Sequence, residues 1–557
     1  MREICERLVD AYAALDPAAG ARDMGVGLNT DALRDYSPDG TARLAQFMDR
    51  AREELAAAVP ADAAERLGRS YVMDWAGSYA ALLHRCGPAG LVSALTGPPA
   101  SVRMGFDLAA PAGPDDRRAL ARRMSRVPRA MAEYRSSLQK GLDEGSVAPL
   151  RCAEAVADQC ERWSGGGPGG WFGAYAAHHG ALDGGGDMAG PAAAADAAYG
   201  QLAEWLRREY LPRASQADGV GEEAYRLWAR HCLGAQVDLD EAYRWGWEEL
   251  ERLEGERAAE CARLGPGLSF PEARDMLEAD PARRVDGVEA WRDWLQELTD
   301  RTIGELHGKA FAISEPLRTC AVSIPPEGSA AAAYYTPPSE DLSQPGRIWF
   351  PTLGAQSFPT WDAVTTVFHE AVPGHHLQVG LTRSLPLTRM HKLSFSPGHG
   401  EGWALYAERL MDELGYFERP DYRLGFLSMQ LMRAARVVID IGLHTGRTIP
   451  AGRPRAGERW DFDVAVDALE AASGLSSEYC RSEVARYMSW PSQATCYKLG
   501  ERAWLAGREE ARRHQGAAFD LAAWHRDALA LGPLGLDLLG EELSALAREG
   551  RGDRPGP

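Results

Sequence analysis

The sequence predicts a mainly α-helical protein with one small β-sheet lying just before its chemically richest segment. Three observations carry this reading. Segments 40–58, 116–141, 194–210, 222–234 and 240–264 mix Ala, Leu, Glu and Arg at helical spacing. Between about 303 and 355 the texture changes: FAISEP, CAVSIPP, AAAYYTPP and GRIWFPT alternate short apolar runs with Pro and Gly. Such punctuated runs are short strands, and their prolines favour a sheet edge. Helical texture returns at Trp361 and continues, with breaks, nearly to the end.

This organisation divides the chain into a helical lobe over 1–300 and a second lobe over 301–557, joined as one continuous structural unit. The second lobe holds the sheet, a helix expected over 361–383 and the C-terminal helices. Two Gly-rich patches, 164–170 and 180–198, read as flexible surface connections. Neither ends in Gly-Lys-Ser/Thr, so neither is a phosphate-cradling loop. Pro-Gly clusters at 450–457 and from Gly550 onward mark a loop and a tail.

Of the 557 residues, 45% are hydrophobic and 25% charged, a soluble globular composition. The balance of 61 basic against 80 acidic residues gives a formal charge of −19, which repels phosphate backbones and argues against nucleic acid as a partner. No run approaches the ~18 apolar residues of a membrane span, so no membrane partner is expected. The first ten residues carry charges and no apolar core of a secretory signal. Nine scattered cysteines without a CxxC pair read as reduced thiols, and the expected location is the cytoplasm.

The chemistry concentrates in WDAVTTVFHEAVPGHHLQVG. A helix over Trp361–Val372 delivers His369 and Glu370, followed by Pro373, Gly374, His375 and His376. In the common zinc-protease spacing, H-E-x-x-H, the two histidines share a helix face at i and i+4 and the glutamate is the general base. Here position i+4 is Pro373. An unbroken helix would present His376, because i+7 returns to within about 20° of His369. Pro373 argues against an unbroken helix, since it lacks an N–H and clashes with the carbonyl of His369. A bulge at Val372-Pro373-Gly374 would instead bring His375 to the second ligand position, with His376 behind it or lining the cleft.

A catalytic zinc takes three protein ligands and keeps one position open. HGEGWALYAERLMDELG supplies the third candidate, Glu401, with Glu408 as the alternative seven residues on. Gly402 and Trp403 suit close helix packing. Glu370, about 100° from His369, is placed to take a proton from water without coordinating the ion. RYMSWPSQATCYKLG gathers Arg486, Gln493 and Tyr497 near one face. Tyr497 is the first candidate to stabilise an oxyanion, with Arg486 and Tyr487 behind it. Arg436, Asp440 and His444 fit a local ion-pair ladder, although Asp440 or another carboxylate could orient a zinc histidine. His399 is a candidate substrate contact. The strand IWFPT could pair with extended substrate backbone, with Tyr334 and Tyr335 lining the same cleft.

HEAVPGHHLQ followed by EGWALYAE closely resembles the domain-of-unknown-function 885 family. The resemblance extends to EAYRWGWEELERLEGE, AAYYTPPSEDLSQPGRIWF, RAARVVIDIGLH, RYMSWPSQATCYKLG and FDLAAWHRDALALGPLGLDLL, and so over most of the chain. It implies a two-lobed, zincin-like helical fold akin to oligopeptidases and carboxypeptidases, and a zinc hydrolase. The expectation is therefore one Zn2+ per chain held by His369, His375 and Glu401. Glu370, Tyr497, Arg486 and His376 would serve the chemistry on a small peptide or peptide-like amide. The alternatives are a zinc lyase, cyclase or acyl transferase on the same scaffold, and a catalytically silent scaffold.

Overall fold

Capping groups and glycines mark several of the helix ends. Ser37 Oγ accepts the amide of Gly40 and opens Pro38–Ala57. The Asp238 carboxylate accepts the amides of Asp240 and Glu241 and opens Leu239–Leu264. Glu222–Leu233 closes on Gly234 at φ +60°, a left-handed position that glycine takes without strain. The helix expected over 116–141 is two, Pro114–Ser125 and Val127–Glu144. Pro128 has no amide to continue the ladder, and the break falls at Arg126.

The computed structural model describes residues 1–109, 111, 113–165, 170–180, 188–325 and 332–549. The middles of both Gly-rich patches and the tail from Gly550 lie outside the described residues. The end of the second patch is not a loop. Ala189–Trp205 is helical, with Ala192 and Ala195 buried.

The described residues are mainly helical, with two small sheets. Strands β2 (Cys320–Ser323), β3 (Tyr334–Thr336) and β4 (Gly346–Trp349) form one sheet in the order β2-β4-β3, with β4 parallel to β2 and antiparallel to β3. IWFPT therefore begins in the central strand, and its backbone cannot serve as the free edge that the sequence suggested. Among the described strands, β3 is paired on one side only. FAISEP forms no named strand: its end enters the short 3-10 helix Glu315–Arg318, where Pro316 favours a helical turn. Outside the expected sheet, β1 (Arg284–Asp286) pairs antiparallel with β5 (Ser357–Pro359). Thr360, next in the chain, donates from its amide and hydroxyl to the carbonyl of Arg283, fixing where the following helix starts.

One apolar core runs from Cys5 to Ala547 and includes residues of both halves. Pro420–Thr445 is buried along nearly its whole length and packs against Leu239–Leu264. No described helix is long and apolar enough to cross a membrane.

A close helix crossing joins Pro397–Glu413 to Cys496–Gln515. A Cβ at Gly402 would lie 2.4 Å from the Gly500 Cα, and one at Gly500 would lie 2.1 Å from the Gly398 carbonyl oxygen. Only hydrogens fit there. Gly402→Ala or Gly500→Ala should therefore cost about 1–3 kcal/mol, the usual penalty of overpacking. Thermal unfolding of the purified variants would register a lower midpoint; an unchanged midpoint would show that the crossing can relax.

Candidate metal centre

The segment carrying the histidines is two helices, Ala363–Glu370 and His375–Ser384, not one bulged helix over 361–383. The first ends where the Ala371 amide bonds to the Val367 carbonyl at 2.8 Å. The chain then turns through a cis Val372–Pro373 peptide. The Gly374 amide reaches back to the Phe368 carbonyl at 3.1 Å, and the His376 amide to Ala371 at 3.0 Å. Gly374 cannot be larger, because a Cβ there would lie 1.9 Å from the His369 carbonyl oxygen. The indole of Trp403 donates to the Pro373 carbonyl at 2.8 Å and ties this turn to the helix Pro397–Glu413.

That turn brings His369 and His375 together with Glu401. One candidate ligand atom from each lies within 4.8 Å of the other two. The Nε2 atoms of both histidines are 3.5 Å from Glu401 Oε2. This is long for a hydrogen bond. It matches the roughly 3.3 Å between corners of a tetrahedron with metal–ligand bonds of about 2.0–2.1 Å. Glu401 Oε2 and His375 Nδ1 are buried without a hydrogen-bond partner. Two imidazoles, one carboxylate and an orphaned carboxylate oxygen between them fit a zinc-type ion.

Glu408 lies behind the cluster. Its Oε1 is 2.7 Å from His369 Nδ1, and its Oε2 accepts from the Thr365 hydroxyl at 2.6 Å. The alternative third ligand is thus the carboxylate that orients His369 and leaves Nε2 facing the cluster. Burial works against charge on His369, but the neighbouring Glu401 and Glu408 carboxylates outweigh it and raise the imidazole to about 9. Burial would push Glu401 up, yet the two histidines hold it well below the usual carboxylate range.

Glu370, His369, His375, Glu401 and Tyr497 all line one cavity of about 350 Å³. Burial raises the Glu370 carboxyl, partly offset by His369 and His375. The Tyr497 ring stacks beside His369 with 6.1 Å between centroids, and the Arg436 guanidinium sits 4.6 Å above it. Burial and Glu401 push the Tyr497 hydroxyl up to about 12, so it remains a donor at neutral pH.

Other expected residues lie elsewhere. His376 is fully buried between the Tyr335 hydroxyl, 3.1 Å from Nδ1, and the Leu317 carbonyl, 3.0 Å from Nε2. It does not line the cavity. Arg486 forms two bonds to Glu483 and one to Gln493, and it too is outside the cavity lining. The Tyr487 hydroxyl donates to Glu483 and accepts from Arg436. Of the expected ladder only Asp440 and His444 meet, at 3.7 Å: Arg436 pairs with Glu483, while Asp440 accepts from the Tyr225 hydroxyl and the Ser492 amide. His399 faces Gln378 at 2.7 Å and is buried. Tyr334 and Tyr335 do line the cavity.

Sequence reasoning missed the opposite wall. Gln378, Val379, Thr382 and Arg383 follow His375 at three, four, seven and eight residues and all line the cavity. That spacing is one helix face, legible once the helix is known to restart at His375. Lys392 and Phe395 complete this side.

The fold and the cluster define a mainly helical protein with a His-His-Glu set in a cleft. The chain belongs to a family described as bacterial proteins of unknown function (DUF885), whose model matches residues 19–543. Two crystal structures of proteins each described as a "putative lipoprotein" are similar to it. One, from Colwellia psychrerythraea, has a TM-score of 0.84 at 21% identity, covering 98% of this chain and 99% of that one. The other, from Shewanella oneidensis, has a TM-score of 0.71 at 18% identity, covering 97% and 98%. No curated protein matches the chain.

Elemental analysis of protein purified without chelator should find about one zinc per chain. His375→Ala should lose that metal, His376→Ala should keep it while lowering the melting temperature, and Glu408→Ala should weaken metal affinity about 10–100-fold. Retention of stoichiometric zinc by a His369→Ala/Glu401→Ala double variant would refute the ligand set.

Proposed function

We propose that the protein is a zinc-dependent hydrolase of peptide or peptide-like amide bonds. The carrying observation is that Glu370, which is not part of the three-residue cluster, lines the same cavity as His369, His375, Glu401 and Tyr497. A structural metal site has no need of such a base.

His369, His375 and Glu401 would hold the ion. Bound there, zinc would supply a Lewis acid and bring the pKa of water at its open position to about 7. Glu370 takes the proton from the attacking water and returns it to the leaving amine. The Tyr497 hydroxyl donates to the oxygen that gains charge on the substrate carbonyl. Glu408 holds the His369 ring in place, and a cavity of about 350 Å³ suits a short substrate. The singly paired strand β3, with Tyr334 and Tyr335 at the cavity, offers backbone groups to an extended substrate. Nine free thiols support residence in a reducing, cytoplasmic compartment.

Glu370→Gln keeps the shape and removes the proton acceptor. Its zinc content and melting temperature should stay near wild type, while turnover in a short-peptide library read by mass spectrometry falls about 10²–10⁴-fold. Loss of zinc would make Glu370 a ligand. Full retention of activity would remove it as the base.

A further inference from the structure

Arg383 is 5% exposed and lines the cavity of the metal cluster. Its Nε and one terminal nitrogen are buried without a hydrogen-bond partner, and no described carboxylate forms an ion pair with it. Glu340, the nearest acidic influence on it, is itself paired with Arg389 at 3.0 Å. Half-buried Lys392 lines the same wall, also without an ion pair among the described residues. The third cation of the cavity, Arg22, is neutralised by Asp23 at 2.5 Å. A chain with a net charge of −19 thus keeps, among the described residues, two cations without an ion pair in the lining of this cavity. Burying an unpaired guanidinium is unfavourable unless a ligand completes it, and its planar fork matches a carboxylate.

We infer that Arg383, assisted by Lys392, binds the free C-terminal carboxylate of a short peptide whose reacting bond lies at the His369–His375–Glu401 cluster. The inference rests on the hydrolase reading and adds a substrate class to it. The helix His375–Ser384 sets the length. Eight residues separate His375 from Arg383, about 12 Å of helical rise, and helix side chains lean about one turn back towards the N-terminus. The remaining ~7–12 Å corresponds to roughly two or three extended residues. The products are then a C-terminal di- or tripeptide and the shortened chain. Water adds its hydroxyl to the carbonyl carbon and its proton to the amine as the C–N bond breaks. Gln378, Val379 and Thr382, on the same helix face, would contact those last residues.

The test uses the full-length, zinc-loaded protein and two probes, N-acetyl-Phe-Ala-Ala and its C-terminal amide. Calorimetry in the Glu370→Gln background should show the acid binding at least about tenfold tighter than the amide, as expected for a charged bidentate contact. Arg383→Gln should bring that ratio close to one, Arg383→Lys should restore part of it, and Lys392→Gln should reduce it less. Melting temperature should not fall in Arg383→Gln, because no hydrogen bond or ion pair among the described residues is lost. An acid preference that survives Arg383→Gln, its absence from the parent, or failure of both probes to bind would overturn the subsite. Wild-type cleavage without acid preference would leave the hydrolase reading standing alone, whereas acid preference without any cleavage would leave only the subsite.

Discussion

Backbone meets backbone where Gly402 crosses Gly500, and the functional groups are arranged around that contact. Glu401 precedes one glycine, and Tyr497 lies one helical turn before the other. Trp403 follows Gly402 and holds the Pro373 carbonyl. A single close approach therefore sets the carboxylate, the phenol and the histidine-bearing turn relative to one another. A bulkier residue at either position would separate all three, so the glycines act on the chemistry without touching it.

Behind the cluster several polar groups are linked in a chain. His369 is met by Glu408, and Glu408 by Thr365. Lys498, fully buried, donates to Gln430, Glu249 and Glu501 at 2.6–2.9 Å. Glu501 also accepts from Arg409. Charges at this depth are tolerated because each has several partners. The contrast with Arg383 is instructive. The two basic groups differ in what surrounds them, since Lys498 is completed by protein and Arg383 is left open towards the cleft.

Much of this was legible in the sequence, for reasons that can be named. Helices placed by spacing at 40–58, 222–234 and 240–264 lie close to the observed Pro38–Ala57, Glu222–Leu233 and Leu239–Leu264. His369, Glu370, His375 and Glu401 stood out because chemically active residues were dense around a proline. The exact form of the break was not legible, since whether Pro373 bulges or ends a helix depends on Trp403, which is thirty residues away. Strand order was hidden too. IWFPT reads as an edge strand from its proline, yet β4 is flanked by β2 and β3. Arg436, Asp440 and His444 have the spacing of a ladder, but only Asp440 and His444 meet, at 3.7 Å, because Glu483 takes Arg436 from another element. Local pattern proposed the ligands; distant packing decided the groups behind them.

The crossing of Gly402 with Gly500 also has a consequence in time. The two glycines are 98 positions apart, and a ribosome adding about 5–20 residues per second needs roughly 5–20 s to make the intervening chain. During that interval the segment bearing both histidines and Glu401 has emerged without the helix that covers it. The apolar face around Trp403 must wait for Trp504. Assembly of the centre is thus a late event in biosynthesis, and a nascent chain stalled before residue 500 would carry His369, His375 and Glu401 without the contact that aligns them.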